Sequence, residues 1–175
     1  LHDQEFLFVF TAQSRAALDP TTGSVDWMIP FGVEDRVDQV NAVTPLVHDD
    51  FVFATCGPGA GSLCVRVLPD RSGKEVWRDR RVLDSQFNNL AGHDGCLFGF
   101  TSKWRRSSSF RCVELATGKM RWEWPSQLQR GSCIAVDGHL LLWGEHGDLA
   151  AMELNSREAI VVSQSAKHLL QTPTY

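Results

Sequence analysis

The residues best able to do acid–base or metal chemistry are the six histidines, His2, His48, His93, His139, His146 and His168. An imidazole titrates near neutral pH and is the commonest protein ligand for a metal ion. Zinc, however, needs its ligands within about 2.0–2.3 Å of one centre. His2, His48 and His93 each open a recurring His-Asp pair, so they belong to separate units of the chain. Their repetition argues for a role in a strand turn, and the sequence implies no metal site. His146, beside Glu145, falls outside that pattern. It stands either as a general base or as a solvated loop histidine, and as a candidate for partner binding.

Two further groups carry potential chemistry. "SKWRRSSSF", 102–110, places Lys103, Trp104, Arg105 and Arg106 together. Guanidinium groups grip carboxylates or phosphates, and an indole stacks on a sugar, base or peptide. Trp104, Arg105 and Arg106 are therefore partner-binding candidates, against the plainer reading of a charged hairpin tip. The five cysteines, Cys56, Cys64, Cys96, Cys112 and Cys133, form no CxxC pair, which leaves zinc and thioredoxin readings without support. Cys56 and Cys64 flank "GPGAG" symmetrically. A disulfide across a hairpin and two small buried strand residues both fit, the second more simply. No Ser-His-Asp constellation and no HExxH motif is visible. "GPGAG" lacks the lysine and helix of a phosphate loop, so no catalytic residue is assigned.

The bulk of the chain sets wider bounds. It has 175 residues, 43% apolar and 22% charged, with a net charge of −4. Those are globular values, and they give no whole-chain attraction to nucleic acid. No apolar run approaches the roughly 20 residues that cross a bilayer. The sequence begins in strand-like "LHDQEFLFVF" without Met, which leads us to expect that something upstream is removed or cut away.

What must position these residues is a repeat. A Gly followed four residues later by Trp recurs at Gly23/Trp27, Gly73/Trp77 and Gly118/Trp122. A second marker, the aspartates Asp3, Asp49, Asp94 and Asp137, keeps nearly the same beat. "EFLFVF", "FVFATC", "CLFGF" and "HLLLWG" are short runs of aromatic and branched residues, apolar on both faces, and so are expected as covered central strands. "AALD", "LCVRVL", "FRCVEL" and "LAAMEL" alternate. Strands after the Gly turn carry the tryptophans, and "VTPLVH", "NNLAGH" and "CIAVDG" lead from one unit to the next. "SAKHLLQ" offers at most a turn or two of helix.

Four short antiparallel strands per unit of 40–50 residues predict an all-β chain, a β-propeller of about four blades here. The units are expected near 1–41, 42–86, 87–130 and 131–170 of one propeller segment. One blade cannot bury both its faces, so it stacks on its neighbours. The tryptophan is suited to wedging between blades, and the glycine to a positive-φ turn between third and fourth strands.

At these residues the chain resembles the pyrroloquinoline-quinone (PQQ) repeat family. "LDPTTGSVDW", "DRSGKEVW" and "ELATGKMRW" are similar to its Asp-x-x-Thr-Gly-Lys-x-x-Trp turn, and "VTPLVHDDFVF" and "IAVDGHLLLWGEHGDLAAMEL" to the two strands that open its repeat. The likeness is strongest to PQQ-like propellers described as similar to the scaffold lipoprotein of the bacterial outer-membrane β-barrel assembly machinery. The fourth unit departs from the pattern: "MELNSREAIV" has Arg157 in the glycine's place and Val161 in the tryptophan's. The resemblance implies a seven- or eight-bladed whole, a periplasmic or cell-envelope location, and protein or peptide partners. It also brings an alternative, a PQQ- and Ca-dependent alcohol or sugar dehydrogenase. Such enzymes hold calcium with a Glu and an Asn and usually carry adjacent cysteines, and no Cys-Cys occurs here. Propeller topology puts Asn88, Asn89, the 102–109 loop and "GEHGD" on one face. Asn88 and Glu145 are thus the weak cofactor-binding candidates, against ordinary local roles in turns.

Overall fold

The computed structural model describes residues 1–32, 42–57, 59–101, 108–125, 128–165 and 169. Fifteen strands make four separate antiparallel sheets and no helix among these residues. The first sheet is β1 (Leu7–Phe10), β2 (Ser14–Leu18) and β3 (Val25–Pro30). The second is β4 (Leu46–His48), β5 (Phe51–Cys56), β6 (Gly61–Val67) and β7 (Gly73–Asp79). The third is β8 (Ala91–His93), β9 (Cys96–Phe100), β10 (Phe110–Glu114) and β11 (Met120–Trp124). The fourth is β12 (Gly131–Val136), β13 (His139–Gly144), β14 (Leu149–Glu153) and β15 (Val161–Gln164). Each is a meander in chain order, so the lead-in strands β4, β8 and β12 pair with the sheet that follows them. The first sheet shows three strands among the described residues where the repeat leads one to expect four.

The aspartate marker is a hairpin device. Asp94–Gly95 and Asp137–Gly138 both have positive φ, 49° and 65° in one and 47° and 73° in the other. They join His93 to Cys96 and Val136 to His139 across two-residue turns. Two successive positive-φ residues match the twist of the flanking strands, which is why Asp-Gly serves there. Asp49, with φ 51°, opens the corresponding turn between His48 and Phe51.

Three cores hold the molecule, one between each pair of successive sheets. Ala17, Trp27, Val52 and Val65 meet between the first and second. Phe53, Cys64, Leu97 and Val113 meet between the second and third. Phe98, Phe110, Trp122, Leu140 and Met152 meet between the third and fourth. β5 and β9 are buried almost throughout, as covered central strands should be. β13 instead alternates exposed and buried, because one face of the fourth sheet has no neighbour among the described residues.

Every outer hairpin carries a bulge in the same place. The register skips Asp26, Val76, Arg121 and Val162, opposite β2, β6, β10 and β14 respectively. The bulge turns Trp27, Trp77 and Trp122 onto the face that meets the next sheet. In the fourth sheet the residue in that register is Ser163, paired with Ala151 as Trp122 is with Cys112. This corrects the sequence alignment, which put Val161 there. The turn after β14, closed by Glu153 N–H to Ile160 O, is longer than the Glu114-to-Lys119 turn of the third sheet.

Gly73 also differs from expectation. Gly23 and Gly118 have φ of 72° and 71° in their turns, but Gly73 lies in β7 opposite Val67, and Arg71 takes the positive φ of 70°. The β6–β7 hairpin runs two pairs further past its bulge, so its turn falls earlier in the sequence than the glycine.

Candidate functional site

The tryptophans define the junctions between sheets. A Cβ on Gly73 would stand 2.6 Å from Cδ2 of Trp27, and one on Gly118 would stand 2.7 Å from Cδ2 of Trp77. Trp27 and Trp77 therefore each lie directly on a glycine of the following sheet, where no side chain fits. Trp77 Nε1 donates to Leu115 O at 2.7 Å, and Trp122 Nε1 donates to Asn155 O at 3.0 Å. Trp27 Nε1 is buried with no partner among the described residues. Val67, the counterpart of Leu115 in the second sheet, meets His2 Nε2 with its carbonyl at 3.0 Å.

The loops β7–β8 and β13–β14 hold Asn88, Asn89, Glu145 and His146. Asn88 is buried, and its amide nitrogen donates to Ser132 Oγ on β12 at 3.1 Å. Asn89 Oδ1 accepts from Thr44 N–H at 3.3 Å, ahead of β4. These amides pin the second and fourth sheets to the loop of the third. Glu145 takes a guanidinium: Arg130 Nε lies 2.7 Å from its Oε2, and His146 Nε2 lies 3.6 Å from its Oε1. No hydrogen bond joins Asn88 to Glu145 among the described residues. Calcium asks for six to eight oxygens at about 2.3–2.6 Å. Glu145 already holds Arg130, a cation that competes with calcium for the same carboxylate, so the pair as it stands does not fit a calcium–quinone centre. Trp104, Arg105 and Arg106 lie outside the described residues, as does His168.

The repeated histidines work at the opposite rim. His2 Nε2 meets Val67 O at 3.0 Å, and His48 Nε2 accepts from Gly95 N–H at 3.2 Å, each reaching from one sheet to the next. His139 Nδ1 meets its own hairpin at Asp137 O, 2.8 Å away. These rings close hairpins and do not converge. His93 lines an open cleft of about 510 Å³ with Asp94, His139, Glu153, Ser156 and Arg157, between the third sheet and the turn after β14.

The five thiols are buried, and none is in a disulfide. Cys56 pairs with Gly61 and Cys64 with Phe53, so the two stand three residues apart in register and point to opposite faces. That offset corrects the disulfide reading. Burial pushes Cys64 and Cys133 up to about 12 and raises Cys56, Cys96 and Cys112 as well. Such thiols are poor nucleophiles.

Sequence reasoning passed over two arginines. Arg71 sends Nε and Nη2 to the two oxygens of Asp26 at 2.8 and 2.7 Å, tying the second sheet's long hairpin to the first sheet. Arg15 is buried between the rings of Phe10 and Phe31, with Nε and Nη2 unpartnered among the described residues. Neither an arginine in a strand nor one in a turn gives a sequence signal of such a fate.

With this geometry in hand, known structures can be compared. BamB from Moraxella catarrhalis superposes with a TM-score of 0.64 at 14% identity, over 93% of this chain and 45% of that one. A europium-containing methanol dehydrogenase gives 0.67 at 15% identity, over 91% of this chain and 39% of that one. The computationally designed Ika8 protein gives 0.58 at 9% identity, over 97% of this chain and 51% of that one. The fold is that of a PQQ-type β-propeller. This propeller chain spans about half the length, or less, of the structures it matches. No family model matches it, and no curated sequence matches it as a relative.

Proposed function

We propose that this propeller chain is a non-catalytic binding or scaffolding module of the bacterial cell envelope, with proteins or peptides as partners and further blades of the same ring beside it. The observation that supports this reading is the use made of Asn88 and Glu145. Glu145 is held by Arg130 and the Asn88 amide nitrogen by Ser132, and no hydrogen bond joins the two among the described residues. The repeated geometry goes into junctions between sheets, and chemistry outside the repeat includes the His93/Arg157 cleft; Trp104, Arg105 and Arg106 are further partner-binding candidates on the sequence alone. The likeness to BamB adds a precedent for the fold in a chain of another kind, and the likeness to a methanol dehydrogenase keeps the enzyme reading as the contrast to test.

Addition of PQQ and Ca²⁺ to the purified protein separates the two. The scaffold reading expects no bound-quinone absorption and no dye reduction with alcohols or sugars. A bound-quinone spectrum with turnover sinks it. No helix among the described residues is long and apolar enough to cross a membrane. An envelope location is tested by fractionating cells that express the native gene.

A further inference from the structure

The chain holds two Asp-Gly pairs, Asp94–Gly95 and Asp137–Gly138, and each forms the two-residue turn of a lead-in hairpin. Asp-Gly is the pairing most open to internal cyclisation, because glycine puts no side chain beside the amide nitrogen that must attack. The two turns are close twins, with φ of 49° and 65° in one and 47° and 73° in the other. Both aspartates are exposed, and a Cβ added to either glycine would meet nothing within 4 Å. Neither carboxylate has a hydrogen bond or ion pair among the described residues.

One contact separates them. Gly95 N–H donates to His48 Nε2 at 3.2 Å, across the junction of the second and third sheets. The third sheet repeats that histidine as His93, which by position should reach Gly138 in the same way. His93 lines the open cleft instead, and Gly138 N–H donates to nothing among the described residues.

We propose that Asp137 is a site of spontaneous isoaspartate formation, and that the His48 contact protects its twin, Asp94. The Gly138 nitrogen attacks Cγ of Asp137. An N–Cγ bond forms and a Cγ–O bond breaks, so the amide proton and a carboxyl hydroxyl leave as water. The succinimide then takes water back at the main-chain carbonyl carbon, whose bond to nitrogen breaks. The chain now runs through Cγ, and the former main-chain carbonyl is the free carboxylate. No oxidant, cofactor or enzyme takes part, and no atom is gained or lost overall. The attacking amide must first give up its proton. At Gly95 that step forfeits a hydrogen bond and leaves a negative nitrogen facing the imidazole lone pair. At Gly138 it forfeits only contact with water.

The change falls where the fold is sensitive. A β-aspartyl link adds one carbon to the main chain of a turn that must stay tight. β12 and β13 would lose the turn matched to their twist. β13 carries Leu140 and Leu142 into the core between the third and fourth sheets. The inference stands apart from the binding or scaffolding reading and depends on no ligand.

Incubating the purified protein at neutral pH and physiological temperature tests this, with peptide mapping and enzymatic methylation of isoaspartyl carboxylates as the readout. Asp137 should accumulate the β-linkage roughly 3- to 10-fold faster than Asp94, the worth of one hydrogen bond. His48→Ala should raise Asp94 to the rate of Asp137 and leave Asp137 unchanged. His48→Gln, whose amide oxygen can accept from Gly95 N–H, should keep Asp94 slow. In urea the two rates should converge. Equal rates in the folded protein overturn the proposal, as does an Asp94 indifferent to His48→Ala. A faster Asp94 also overturns it, since His48 would then act as a base toward the amide rather than as a hold on it. A difference that persists in urea belongs to the flanking residues and removes the role given to the fold.

Discussion

Substituting alanine at the three glycines of the repeat separates two costs, backbone strain and contact with an indole. Gly23 has φ 72° and nothing within 4 Å of an added Cβ, so Gly23→Ala measures the left-handed backbone alone. That conformation costs an L-residue about 1–2 kcal/mol. Gly73 lies in a strand without positive φ, but its Cβ would press on the Trp27 ring at 2.6 Å. Gly73→Ala measures overpacking, about 1–3 kcal/mol, less the few tenths that alanine returns by restricting the unfolded chain. Gly118 carries both burdens, φ 71° and a Cβ 2.7 Å from Trp77. Gly118→Ala should cost roughly their sum, about 2–5 kcal/mol, since strain and overpacking act on separate degrees of freedom.

Urea unfolding followed by tryptophan fluorescence and circular dichroism reads all three. At about 2–4 °C per kcal/mol for a chain of this size, the melting temperatures should separate as well. In a Trp77→Ala background the steric part vanishes, and Gly118→Ala should fall to the cost of Gly23→Ala. If Gly118→Ala costs no more than Gly23→Ala in the native background, the indole does not rest on the glycine, and the account of the junctions is wrong.

Trp77→Phe should destabilise by about 1 kcal/mol more than Trp27→Phe after allowing for burial, because only Trp77 forfeits a hydrogen bond; matched chemical denaturation checks this. Replacing Arg15 by Met should leave stability unchanged or raise it, since a buried cation with two unpartnered nitrogens is exchanged for an apolar chain; a fall of several kcal/mol in the same assay contradicts it. Turn hydrogen bonds hold Asp19 and Asp70 below their ordinary 3.8, and the Thr117 hydroxyl with Arg121 holds Glu114 below 4.5. Their stabilisation is complete above those values and disappears as pH falls beneath them, so the melting temperature should drop on acidification below about pH 4, with a shallower drop in Asp19→Asn. All five thiols should resist a disulfide reagent in the folded chain and react once it is denatured; fast labelling of the native protein would contradict their burial.

The fold was legible because its signals are local and repeated. A two-residue Asp-Gly hairpin needs two positive φ values wherever it occurs, and a tryptophan beyond a bulge must find a flat partner. Spacing failed where a hairpin changed length without changing its residues. "SGKEVW" keeps the glycine four residues before Trp77, yet its turn slides to Arg71, and the glycine serves in the strand instead. The same blindness misplaced the fourth sheet's outer position: only the bulge register shows that Ser163 fills it. Asn88 and Glu145 were found by topology and stand on the expected loops, but no sequence pattern reports that Ser132 and Arg130 take their polar groups. Trp143 was missed as a surface residue because "HLLLWG" looks covered on both sides, and whether it is covered depends on a neighbour that lies beyond the fourth sheet.

That dependence follows from how stacked sheets are stabilised. Each core here belongs to two sheets, so no sheet owns the surface that makes it stable. Three junctions serve four sheets, and the outer faces of the first and last remain as apolar as the inner ones: Leu7 and Met28 at one end, Ile134 and Trp143 at the other. A ring removes this asymmetry and an open row of sheets keeps it. The exposed Trp143 is thus a direct reporter. Its emission should be red-shifted, as in water, if the chain stands alone, and blue-shifted if a further sheet covers it. Comparing native protein with Trp143→Phe isolates that one indole from the other five tryptophans. A difference spectrum with the maximum of a hydrated indole would mean that no further sheet covers the outer face of the fourth.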